Sequence, residues 1–142
     1  MAGKVLLRFI TVGFALAFLA GCGSAHNPMT FKSYQTTPVA GATSYPASNG
    51  KVWVTTDDLP KNVKYKVIEE VDVGSHWYGP ATKLNPLFAK LGRKAGANAI
   101  ILVKTWHQPS GFSWSAPQGH GVAVKIIEPK DFDFTTLSGG WY

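Results

Sequence analysis

Cysteine is almost missing from this 142-residue chain: Cys22 stands alone. A disulfide within the chain is therefore excluded, and no C-x-x-C or H-x-x-x-H spacing suggests a metal site. Long apolar runs are missing too. The apolar stretch Phe9 to Ala20 is short of the ~20 residues that a spanning helix needs. Catalytic signatures are missing as well: there is no G-x-S-x-G elbow, no G-x-x-x-x-G-K-[ST] phosphate loop and no H-E-x-x-H. Asp57-Asp58 reads as a turn and Glu69-Glu70 as a solvated part of a strand. Ser110, Ser113 and Ser115 have no base paired to them in the sequence. The expectation is a protein that is not an enzyme and holds no cofactor. The length leaves room for one domain and excludes a multi-domain enzyme.

The N-terminus has the form of a secretory signal peptide. Lys4 and Arg8 make a basic start, the apolar stretch follows, and small residues stand directly before Cys22. The run Leu19-Ala20-Gly21-Cys22 resembles the lipobox of bacterial lipoproteins. That resemblance implies cleavage after residue 21 and acylation of Cys22, which anchors the chain in a membrane. Gly23, rather than Asp, follows the cysteine, which by the same resemblance implies the outer membrane, with the folded part in the periplasm. Cleavage removes two of the fourteen basic residues and none of the eight acids, so the mature net charge is +4. In an exported protein such a charge meets anionic headgroups and envelope polymers rather than nucleic acid.

Residues 22–49 are rich in Gly, Ala, Ser, Thr and Pro and read as a flexible, disordered tether. A domain over 50–128 follows. Lys51 to Thr56 and Val63 to Val73 read as strands, the second with a slip of face or a bulge at Ile68-Glu69-Glu70. Asn85-Pro86 begins a helix, with Asn85 as its N-cap, and Gly96 ends it. Leu84, Leu87, Phe88, Leu91 and Ala95 share one helical face, and Gly92 suggests a helix packed closely on a sheet. Ala99 to Trp106 and Gly121 to Ile127 read as two more strands. The expected fold is α+β: one ββαββ domain with a helix on a four-stranded sheet. Residues 129–142 form a C-terminal tail, in which Asp131 to Phe134 has the pattern of a short edge strand.

Val54-Thr55-Thr56, Leu59-Pro60, Lys94-Ala95-Gly96-Ala97-Asn98-Ala99-Ile100-Ile101 and Gly121-Val122-Ala123-Val124 follow in series. Together, over about residues 51–128, they resemble the YbjQ-like fold group, whose relatives include the Rcs stress-sensor lipoprotein. The resemblance implies a compact α+β domain that self-associates or contacts other envelope proteins, and no catalytic residue. The Rcs sensor has disulfides within its domain, and this sequence has no cysteine there.

Two groups of residues stand out as candidate sites. His107 ends the third strand and His120 begins the fourth. A hairpin pairing them would set Val103 opposite Val124 and bring two imidazoles to one mouth, a possible metal site with His76 as a third ligand. The segment Gln108 to Gly119 reads as a loop in which Phe112 and Trp114 alternate with serines. With Trp106 before it, and Trp77 and Tyr78 from the loop ahead of the helix, it forms a candidate binding patch. The leading expectation is a non-enzymatic envelope interaction or stress-sensing module that binds a protein partner or itself. The alternative is a domain that binds a metal, glycan or lipid headgroup.

Overall fold

A computed structural model describes residues 34–110 and 112–142. The signal peptide at 1–21, Cys22 and the tether up to residue 33 lie outside the described residues. The strands are β1 (Tyr34–Pro38), β2 (Trp53–Val54), β3 (Tyr65–Gly74), β4 (Ala99–Ser110), β5 (Ser113–Ile126) and β6 (Gly140–Trp141), with helix α1 (Asn85–Ala95) between β3 and β4. They form one sheet in the order β1-β3-β5-β4-β2-β6. β2 and β4 run parallel, and every other neighbouring pair is antiparallel.

This corrects the expected four-stranded α+β fold. Strand takes up 42% of the structure against 19% helix, and the sheet is six-stranded and mixed. Three segments make the difference. The first is β1, which lies inside the expected tether. Its residues Tyr-Gln-Thr-Thr-Pro are exposed throughout, so it has no apolar face to betray it. It joins the sheet through its ladder with Glu69 to Val73. The chain then stays on the domain: Tyr45 packs against the core, and the Ser48 N–H donates to Arg93 O at 2.9 Å. The second is the tail. Asp131 to Phe134 does not form an edge strand; 3-10 turns occupy Pro129–Asp131 and Phe134–Thr136, and β6 pairs with β2. The third is the hairpin. The supposed loop from Gln108 to Gly119 is mostly strand, and β4 and β5 stay paired as far as Ser110 and Ser113.

Other features follow the sequence more closely. The β3–β5 register shifts between Val67 and Glu69, where a bulge was expected. Gly96 closes α1 in the left-handed region at φ 76°. At the other end a 3-10 turn, Ala81–Leu84, runs straight into α1, and Leu84 takes the N-cap position. Asn85 therefore does not cap; its Nδ2 donates to Tyr142 Oη at 2.8 Å.

The sheet has a core on each face. On one side Leu84, Phe88 and Leu91 of the helical segment meet Val52, Val71, Val73, Ile100 and Val103. Gly92 permits this approach: a Cβ there would lie 3.0 Å from Ile100 Cδ1 and 3.3 Å from Val52 Cγ1. On the other side the tail covers Trp53, Ala99, Ile101, Val124 and Ile126 with Phe132, Phe134 and Leu137. Trp53, Phe134 and Trp141 form an aromatic cluster with ring centroids 4.6–5.7 Å apart. Asp57 fastens the tail, its Oδ2 accepting from Ser138 N–H at 2.7 Å and Ser138 Oγ at 2.6 Å.

Candidate functional site

The β4–β5 hairpin outreaches the rest of the sheet. Gly74 is the last residue of β3 to pair with β5, opposite Gln118, and β2 pairs with β4 only at Ala99 and Ile100. The rows from His107–Pro117 to Ser110–Ser113 therefore project as a two-stranded tip. The segment after β3 folds against it. The Ser75 N–H donates to Pro117 O at 2.9 Å, Gln118 Nε2 donates to Ser75 O at 3.1 Å, and His107 Nε2 donates to Gly79 O at 3.0 Å.

These bonds bring two of the expected aromatic residues into contact. Trp77 stacks on Phe112, with centroids 5.4 Å apart and planes at 28°, and Tyr78 adjoins Trp77. The side chains face solvent: Trp114 is 91% exposed, Phe112 83%, Tyr78 74% and Trp77 65%. Trp106 is more sheltered at 41%, and its indole N–H donates to Gln108 Oε1 at 3.0 Å. Burying large aromatic side chains is strongly favourable, so leaving four of them outside at one end of a domain calls for a function.

The histidines do not converge. The register sets His107 opposite Pro117 and His120 opposite Lys104, not His107 opposite His120, and Ala99 rather than Val103 faces Val124. The closing pair Ser110–Ser113 sets this register, which slips by one residue between Ile101 and Lys104, where Leu102 has φ 55°, and again between Gln108 and Ser110. Strand alternation then places His107 on the α1 face and His120 on the opposite face. His120 Nδ1 instead donates to Asp72 Oδ1 at 2.8 Å, a half-exposed pair. Among the described residues no cluster of three His, Cys, Asp or Glu side chains could hold a metal ion.

Sequence reasoning missed the residues that build the tip. Gln118 is wholly buried and joins the 75–80 segment to β5, while His107 pins Gly79. The signal was present: Phe112, Trp114 and Ala116 alternate with serines as a strand does. The other cavity of note is a groove of about 340 Å³ lined by Pro38, Tyr45, Ile68, Glu69 and Lys94, among others. Burial pushes the Glu69 carboxyl up, against a lowering hydrogen bond from the Thr36 hydroxyl. No protein-family model, curated protein or solved structure matches this chain.

Proposed function

We propose that the protein is a non-enzymatic interaction module of the cell envelope. In this reading it is an outer-membrane lipoprotein, anchored at Cys22, that docks its periplasmic domain onto an envelope partner through the aromatic tip. The observation that supports the reading is the exposed Trp77–Phe112 stack at the hairpin tip, with Tyr78 and Trp114 also exposed there. Resemblance to the envelope stress-sensor lipoproteins points the same way. The separation of His107 from His120 takes support from a shared metal site and leaves the aromatic surface as the stronger candidate.

Crosslinking in intact cells tests the docking. Trp114→Ala combined with Phe112→Ala should abolish the crosslinked species, since both side chains are exposed and their loss leaves the core intact. His107→Ala with His120→Ala should spare it. Unchanged crosslinking in the aromatic variant would remove the tip from the function. The anchor has a separate test: Cys22→Ala should lose fatty-acid labelling, and persistent labelling would refute acylation at that residue.

A further inference from the structure

The chemistry of the tip narrows what it docks on. Residues 75–82 and 105–119 supply its loops and strands. They contain no Asp, Glu, Lys or Arg, although such residues make up 15% of the chain. A protein-binding surface ordinarily surrounds its aromatic anchors with a polar rim. Here the innermost ring is Ser, Gly, Pro, Gln and Thr, which a headgroup region accepts readily. The exposed large side chains are Trp, Tyr and Phe, the first two being the residues whose rings settle at the water–lipid boundary.

The charged side chains nearest the tip are Lys83, Lys104 and Asp72, with a net positive balance. Lys83 lies against Gly79, where an added Cβ would fall 2.7 Å from its Nζ. Lys104 is exposed on β4, two residues before Trp106. On β3, Asp72 stands in the same row as Lys104 and pairs with His120. The net positive charge that remains favours an anionic surface over a neutral one by about fivefold. The Trp77 and Phe112 rings need little ordering on contact, because they stack on each other and the bonds at Gly79 and Ser75 hold the segment that carries Trp77.

We propose that the surface on which the tip docks is an anionic phospholipid bilayer, with Trp114, Phe112, Trp77 and Tyr78 set into its headgroup region and Lys83 and Lys104 facing the phosphates. This rests on the reading of the tip as a docking surface and names its partner. A lipid-anchored domain that also dips this tip into a bilayer is held at two points, and the second contact is reversible and sensitive to lipid charge.

A photoreactive amino acid in place of Trp114 tests this directly, because the position is almost fully exposed and the fold does not depend on it. The full exported chain is reconstituted into vesicles of phosphatidylethanolamine with phosphatidylglycerol, and separately into vesicles of phosphatidylcholine. The same photoreactive residue at Lys61, at the opposite end of the sheet, is the control. Lipid adducts at position 114 should exceed those at 61 by about tenfold on the anionic vesicles. They should fall several-fold on phosphatidylcholine and in the Lys83→Gln, Lys104→Gln variant. Equal lipid adducts at 114 and 61 would overturn the bilayer proposal. If position 114 in cells then yields adducts with a protein, including a second copy, or with a glycan, the docking reading survives with that partner in the bilayer's place. If it yields no adduct of any kind, the docking reading falls as well.

Discussion

Phe88→Ala probes how the helix is seated on the sheet. Phe88 is fully buried, and its ring fills the space that Gly119 and Gly121 of β5 leave by having no side chains. A Cβ at Gly119 would lie 3.0 Å from Phe88 Cζ and 3.2 Å from Leu84 Cδ1; one at Gly121 would lie 2.8 Å from Ile100 Cγ2. Truncating a buried Phe costs about 3–5 kcal/mol, more where the walls cannot close in. Here one wall is the backbone of a central strand, which its neighbours hold in place, so about 4–5 kcal/mol is expected. A domain of this size has roughly 5–15 kcal/mol of stability, so the variant should be barely folded and melt roughly 15–20 °C lower. Urea unfolding followed by tryptophan fluorescence measures the loss. A second substitution sharpens the test. Gly119→Ala alone should cost about 1–2 kcal/mol through overpacking. In the Phe88→Ala background the new methyl has room, and the penalty should vanish or reverse. A coupling of at least about 1 kcal/mol is therefore expected from the double-mutant cycle. A loss below about 1.5 kcal/mol for Phe88→Ala, or simple additivity, would refute this account of the packing.

Asn98→Ala should lower stability by about 1–3 kcal/mol in the same assay. The Asn98 side chain accepts from Ile126 N–H at 2.7 Å and donates to Ile126 O at 3.0 Å, and Ala leaves both backbone groups unpaired. Gly96→Ala should cost more than the ~1 kcal/mol of a left-handed residue alone, because its Cβ would also collide with Tyr45 and the Pro46 carbonyl; a shift in the urea midpoint reads this. The Ser138 hydroxyl, and then its N–H, hold the Asp57 carboxyl below its ordinary value of 3.8. A carboxyl depressed in the folded state stabilises above its unfolded pKa and loses that contribution as pH falls through the folded value. The acid limb of stability below about pH 4 should therefore flatten in Asp57→Asn. NMR titration of Asp57 should move toward the ordinary value in Ser138→Ala, and an unmoved titration would contradict the assignment.

The parts of the fold that were legible in the sequence are those whose residues bury a face. α1 shows its apolar stripe, and the runs at 99–101 and 121–126 are largely apolar stretches that bury most of their residues. The Ile68-Glu69 irregularity appears because it breaks an alternation. β1 was invisible for the opposite reason: a strand exposed at every position leaves no hydrophobic period, and backbone pairing is silent in composition. The hairpin tip was misread because Pro109, Pro117 and Gly119 punctuate it like a loop, although Pro117 keeps its carbonyl for Ser75 and needs no N–H there. That misreading moved the register by three residues and produced the false His107–His120 pairing. The aromatic residues named as candidates are nonetheless among the exposed ones, since large aromatic side chains punctuated by serines were an informative pattern. What held them in place, Gln118 and the carbonyl of Gly79, depends on contacts distant in sequence.

The place of β2 carries a consequence for how the domain comes into being. Two residues long, it bridges β4 and β6: Trp53 and Thr55 bond to Asn98 and Ile100 on one side, while its other side waits for residues 140–142. Tyr142 completes the arrangement by exchanging both backbone bonds with Val52 and accepting from Arg93 Nη1 at 3.0 Å. A chain emerging with its N-terminus first therefore cannot close this edge of the sheet until residues 140–142 have emerged. Trp53, which packs against Phe134 on the tail side, stays uncovered during that interval. The order of the strands thus makes the locking of this edge a late step, set by topology rather than by the strength of any one contact.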